Sequence, residues 1–79
     1  MKIRVLFFGA TAAAAGERKI DAIVDGGASP ADILTQLSTQ HPGLKSRKLL
    51  FAVNEKYVDG HVQLNDGDEL AIFSPVSGG

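Results

Sequence analysis

The chain has 79 residues, 44% of them hydrophobic and 22% charged, with a formal net charge of −1 and no cysteine. That length supports one hydrophobic core and no second domain. The near-neutral charge lacks the basic footprint of nucleic-acid binding, and no apolar run approaches the roughly 20 residues that cross a bilayer. Without cysteine, disulfides, thiolate metal sites and a cysteine nucleophile are all excluded.

Lys2 to Phe8 is predicted to be the first strand. Ile3, Val5 and Phe7 alternate with Arg4, Leu6 and Phe8. Because the second set is also apolar beyond Arg4, the strand is expected to be central and covered on both faces. The charged start and short apolar stretch fall below the ~7–15 residue core of a signal peptide, so a cytoplasmic protein is expected. Gly9 to Gly16 brackets Ala12 to Ala15, a run that favours a helical turn. Glu17 to Val24 reads as a second strand with Ile20, Ala22 and Val24 inward, closed by Asp25-Gly26-Gly27.

Ser29-Pro30-Ala31-Asp32 is the clearest local signal. Ser29 suits an N-cap, Pro30 the first helical position, and Asp32 completes an acidic capping box. The predicted helix runs to about Gln40, with Ile33, Leu34 and Leu37 on one stripe, and His41-Pro42-Gly43 stops it. Leu49 to Asn54 is a third strand, followed by a short strand around Tyr57-Val58. Val62 and Leu64 are expected to form an edge segment. Asn65-Asp66-Gly67-Asp68 is a strong turn into a last strand, Glu69 to Phe73, apolar on both faces and therefore central. Two leading strands, a long helix and further short strands predict an α+β fold. Setting the last strand parallel to the first, with the helix across one face, gives a β-grasp with a mixed sheet. The expected division is a domain over residues 1–73 and a flexible C-terminal tail over 74–79, carrying Gly78-Gly79.

Internal chemistry finds little support. His41 and His61 sit near turns without a second ligand at metal spacing, which favours two surface residues. Asp66, Asp68 and Glu69 lack the twelve-residue calcium-loop pattern and read as a solvated turn. Gly26-Gly27 ahead of the helix has no further phosphate-loop feature, and neither Ser29 nor Ser77 has a visible base. The remaining reactive group is the Gly79 α-carboxylate. Such a group is ionised at neutral pH and a poor electrophile, so acyl chemistry requires activation, of which ATP-dependent adenylation is the usual route. Ser74, Pro75, Val76, Ser77, Gly78 and Gly79 could reach roughly 20 Å when extended. Pro75 stiffens the start of that tail and the glycines let its end enter a narrow slot.

The run Asp66-Gly67-Asp68-Glu69-Leu70-Ala71-Ile72-Phe73-Ser74-Pro75-Val76-Ser77-Gly78-Gly79 closely resembles the ending of the molybdopterin synthase small-subunit family, roughly D-G-D-E-V-A-x-F-P-P-V-S-G-G. Val53-Asn54 with Val58, and the opening Ile3 to Phe8, are similar as well. The chain departs from the pattern at Ser74, where the family has a first proline, and at Ala12 to Ala15, where the family is more charged. The resemblance implies a ubiquitin-like β-grasp sulfur carrier of molybdenum cofactor biosynthesis. It implies that a ubiquitin-activating-like adenylyltransferase uses ATP and magnesium on Gly79, and that a sulfur donor protein converts the adduct to a thiocarboxylate. The tail then enters the large synthase subunit, in a heterotetramer, and delivers sulfur to cyclic pyranopterin monophosphate. The carrier itself is expected to bind no cofactor and no metal, and to engage neither nucleic acid nor membrane. Phe73 and Tyr57 are expected to form a partner-docking patch at the tail root, with core packing as the competing role for both. A carrier for thiazole synthesis or tRNA thiolation, a ubiquitin-like protein modifier, and a passive interaction module are the rival readings.

Overall fold

The computed structural model describes residues 1–44 and 48–75. Its elements are β1 (Lys2–Phe7), α1 (Ala10–Ala15), β2 (Lys19–Ile23), α2 (Pro30–Gln40), a 3-10 turn (Pro42–Leu44), β3 (Leu50–Val53), β4 (Lys56–Val58) and β5 (Glu69–Phe73). One five-stranded sheet has the order β2-β1-β5-β3-β4. β1 and β5 are parallel, while β1–β2, β3–β5 and β3–β4 are antiparallel. This is the β-grasp arrangement expected from the element order.

Alternation decides which face is buried. Ile3, Val5, Phe7, Leu70 and Ile72 point inward and join Ile33 and Leu37 of α2, Ala15 of α1, Leu44 and Leu64 in one core. Each such aliphatic or aromatic side chain contributes about 1.5–3 kcal/mol on burial. The start of α2 follows its local signal. Ser29 Oγ accepts from Asp32 N–H at 3.2 Å, and Asp32 Oδ2 accepts from Ser29 N–H at 2.9 Å. Two otherwise orphaned amides at the helix start are thereby satisfied.

Two expectations are corrected. β1 is central, but only one of its faces is covered: Arg4 is exposed, Leu6 is half-buried and Phe8 is 52% exposed. Pairing on both edges made the strand central, and that is independent of what covers its faces. The segment holding Val62 and Leu64 is not an edge strand. The amide of Leu64 donates to Ala28 O at 3.0 Å and the Ala31 amide donates to Gly60 O at 2.9 Å. The segment therefore braces the entrance of α2, and the edge on that side of the sheet is β4. A Cβ on Gly60 would stand 3.2 Å from the Phe51 ring and 3.4 Å from Ala31 Cβ, so the close approach suits glycine.

The Asn65–Asp68 turn is also more than a solvated loop. Asp66 Oδ1 accepts from Lys2 N–H at 2.7 Å, and Asp68 Oδ2 accepts from Asn65 N–H at 2.8 Å. Asn54 Nδ2 donates to Asp68 Oδ1 at 3.0 Å, while Asn54 Oδ1 accepts from Glu69 N–H at 3.0 Å. These bonds tie the start of β5 to β1 on one side and to the β3–β4 turn on the other.

Candidate functional site at the end of strand β5

β5 is the element that carries the tail. It lies between β1 and β3, and Leu70 and Ile72 have no exposed surface. Beyond Phe73 the chain continues through half-buried Ser74 and exposed Pro75. Val76, Ser77, Gly78 and Gly79 lie outside the described residues.

The register of the sheet sets what surrounds this exit on the open face. Leu50 lies opposite Phe73, Ala52 lies opposite both Ala71 and Tyr57, and Leu6 lies opposite Ala71. Tyr57, Ala52, Ala71 and Leu6 therefore form one row across four strands, with Leu50 and Phe73 in the next row toward the tail. The Tyr57 and Phe73 rings meet edge to face, with centroids 5.7 Å apart and an interplanar angle of 61°. Tyr57 is 80% exposed and Phe73 half-buried, so neither belongs to the enclosed core. The two residues predicted to flank the tail root are thus in contact and open to solvent.

Sequence reading missed the rest of this surface. Leu50 is partly exposed, and Leu6, Phe7, Phe8, Gly9, Ala12 and Arg18 line a groove of about 460 Å³ at the end of β1. Because β1 and β5 run parallel, with Phe7 opposite Ile72, that groove lies at the same end of the sheet as the tail root. The signal lies in the even-numbered apolar residues of β1, whose alternation alone fits a second covered face. At the opposite end the open face becomes charged. Lys2 Nζ lies 3.8 Å and Arg4 Nε 4.0 Å from the Asp21 carboxylate, and Arg4 is opposite both Asp21 and Glu69. Exposed pairs of this kind are worth ~0–1 kcal/mol. Their effect is to mark that end as solvated surface.

The other sequence features are placed plainly. His41 caps the end of α2, and the exposed His61 donates its amide to Asp59. Among the described residues there is no group of three His, Asp or Glu side chains that could hold a metal ion. The hollow beside Gly26-Gly27 is lined by Asp25 and Asp32. Those carboxylates, with Asp32 already bonded to the helix-start amide of Ser29, make it unsuited to an anion. Ser29 is engaged in capping, and Ser77 lies outside the described residues. Among the described residues no helix is long and apolar enough to cross a membrane.

Comparison with known proteins gives a match to the ThiS family over residues 5–79. The chain is 39% identical to a molybdopterin synthase sulfur carrier subunit of Chlamydomonas reinhardtii, across the whole of both chains. Among solved structures, SAMP1 of Haloferax volcanii superposes with a TM-score of 0.86 at 31% identity over the whole of both chains. A putative molybdopterin converting factor subunit 1 of Pyrococcus furiosus gives a TM-score of 0.88 at 26% identity, covering 96% of this chain and 99% of that one.

Proposed function

The chain belongs to the ThiS family, and from that membership we propose that it is the sulfur-carrier subunit of a molybdopterin synthase, acting in the cytoplasm. The observation that carries the reading is the end-to-end likeness, at 39% identity, to a protein named for that role. The fold supports it by setting an apolar open surface beside the strand that leads into residues 74–79.

The chemistry takes place on Gly79. A carboxylate must gain a leaving group before a nucleophile can displace oxygen from its carbon. A ubiquitin-activating-like adenylyltransferase, using ATP and magnesium, joins a carboxylate oxygen to the α-phosphorus and releases pyrophosphate. A sulfur donor protein then delivers sulfur at the sulfide level, the carbon–sulfur bond forms as the bond from the acyl carbon to the AMP oxygen breaks, and a thiocarboxylate remains. In the large synthase subunit the thiocarboxylate sulfur bonds to cyclic pyranopterin monophosphate, water cleaves the resulting thioester, and the carrier returns as a carboxylate. Two rounds complete the dithiolene, within a heterotetramer of two small and two large subunits.

Ordering residues 74–79 in the partner's pocket costs ~1–2 kcal/mol for each residue. The folded body must offset that cost, and the Tyr57, Phe73, Leu50 and Phe8 surface is suited to do so by losing water against the large subunit. Intact-mass spectrometry of the protein from its native cell, in a strain blocked at the synthase step, tests the reading. The expected result is a species heavier by the difference between one sulfur and one oxygen, lost on deletion of Gly79. Its absence, or a ladder of lysine adducts in its place, would overturn the sulfur-carrier reading; the adducts would mark a protein modifier.

A further inference from the structure

The last rung between β1 and β5 is not a direct backbone bond. In this ladder the even-numbered residues of β1 face β5, as the Arg4 N–H bond to Asp68 O at 3.0 Å shows, and the odd-numbered ones face β2, as Phe7 N–H to Arg18 O shows. A regular parallel ladder with Phe7 opposite Ile72 would continue with Phe8 N–H donating to Ile72 O. The Thr11 hydroxyl stands in that place. Its Oγ1 accepts from Phe8 N–H at 3.0 Å and lies 2.8 Å from Ile72 O as donor. The side chain has no exposed surface.

The chain geometry explains the substitution. Gly9, at φ 56°, turns β1 away from the sheet into α1. Without Thr11, Ile72 C=O would lose this partner at a buried position and Phe8 N–H at a partly buried one. The hydroxyl has one proton and two acceptors in reach, Ile72 O at 2.8 Å and Phe8 O at 2.7 Å. Given to Ile72, the proton ties α1 to β5 one residue before Phe73. Given to Phe8, it closes only the local turn.

We propose that Thr11 is the positioning residue for the acyl-carrying end: its buried hydroxyl completes the β1–β5 ladder through Ile72 O and so fixes the direction in which residues 74 and 75 leave the sheet. The functional consequence rests on the sulfur-carrier reading. A defined exit fixes where residues 74 and 75 start relative to the Tyr57 and Phe73 surface, so that docking of the body and entry of the acyl end occur together. A loosened exit leaves the same acyl group and the same surface but spends more conformational freedom on each encounter.

Thr11→Val, close in shape and without the hydroxyl, and Thr11→Ser, which keeps it, are the test pair. Amide hydrogen exchange on the isolated protein is read at Phe8, Phe73 and Ser74 relative to Val5 and Leu70, whose exchange follows global opening. In T11V the first group should exchange about tenfold faster relative to the second, the upper factor expected from one net hydrogen bond. T11S should restore the native ratio and the carbonyl 13C shift of Ile72. With the activating enzyme, T11V should raise the KM for the carrier several-fold with kcat held. An unchanged exchange ratio in T11V, or equal effects in T11V and T11S, would overturn the role of Thr11. Should T11V fail to fold, T11A makes the same comparison with T11S. Wild-type protein that no adenylyltransferase accepts would refute the carrier reading instead, because the exchange measurement needs no partner.

Discussion

Removing the Tyr57 ring tests the proposed docking surface separately from the core. Tyr57 is 80% exposed. An aromatic side chain buries ~150–250 Å² when covered. Some ~120–200 Å² is therefore open, and at ~25 cal/mol/Å² its complete coverage gives a ceiling of about 3–5 kcal/mol. A partner that covers half of it gains about 2 kcal/mol, which corresponds to a roughly 30-fold change in Kd. The folded body loses far less. Tyr57→Ala removes the edge contact with the Phe73 ring, 5.7 Å away, worth ~0.5–1.5 kcal/mol. A fall in Tm of several degrees is expected with the fold intact. Isothermal titration against the large synthase subunit measures the first effect, and thermal unfolding followed by circular dichroism the second. Ile23→Ala is the control. Ile23 is 70% exposed on the same face, but lies opposite Lys2 at the charged end, away from the tail root. Equal weakening by Y57A and I23A, or a Y57A complex within about twofold of the native Kd, would refute a docking surface centred on the tail root.

Two further variants test the scaffold. Ser29→Ala removes one arm of the capping box, the acceptor for Asp32 N–H, and should cost about 1 kcal/mol in urea unfolding; a loss indistinguishable from zero would mean that water replaces the cap. Glu55→Gly should stabilise the protein by about 0.5–1 kcal/mol in the same assay, because Asn54 and Glu55 both hold positive φ, at 49° and 71°, in a two-residue hairpin turn that prefers Asn-Gly. A destabilised E55G would show that the Glu55 side chain supplies something the backbone geometry does not reveal.

How legible each part was depends on the range of the physics that fixes it. The start of α2 was readable because the partners, Ser29 and Asp32, are three residues apart and their pairing follows from helix geometry alone. The apolar faces of β5 suggest a central place, and pairing with β1 on one edge and β3 on the other provides it. Coverage of a face is a different kind of fact. Leu6 and Phe8 alternate as a buried set would, yet they lie on the open side, and nothing within the strand distinguishes an apolar residue facing a helix from one left open. Val62 and Leu64 failed for a related reason: a three-residue alternation fits an edge strand and a brace against a helix start equally well. Tyr57 and Phe73 meet only through the sheet order, with β4 and β5 on either side of β3. Thr11 had no signature. A threonine among alanines reads as helix filler until the chain turns under β5 and sets its hydroxyl at the unfinished rung.

In the proposed reading, the same topology lets one strand present a reactive end without being peeled away. An end drawn into another protein's pocket exerts its pull on the residues just before it. Were that end attached to an edge strand, a partner could gain contact area by stripping the edge, and tail entry would compete with local unfolding. β5 is held on both sides, its start is tied to Lys2, Asn54 and Asn65 through Asp66 and Asp68, and its end is tied to α1 through Thr11. Detaching it would expose Leu70 and Ile72, both fully buried, at about 1.5–3 kcal/mol for each side chain. The sheet thus holds β5 through Phe73, and the sequence that follows ends in two glycines, the residue with the fewest backbone restrictions. In the proposed reading, an acyl end on a firmly held root is what a carrier needs if one face is to bind successive partners while a single carbonyl carbon reaches each of their active sites.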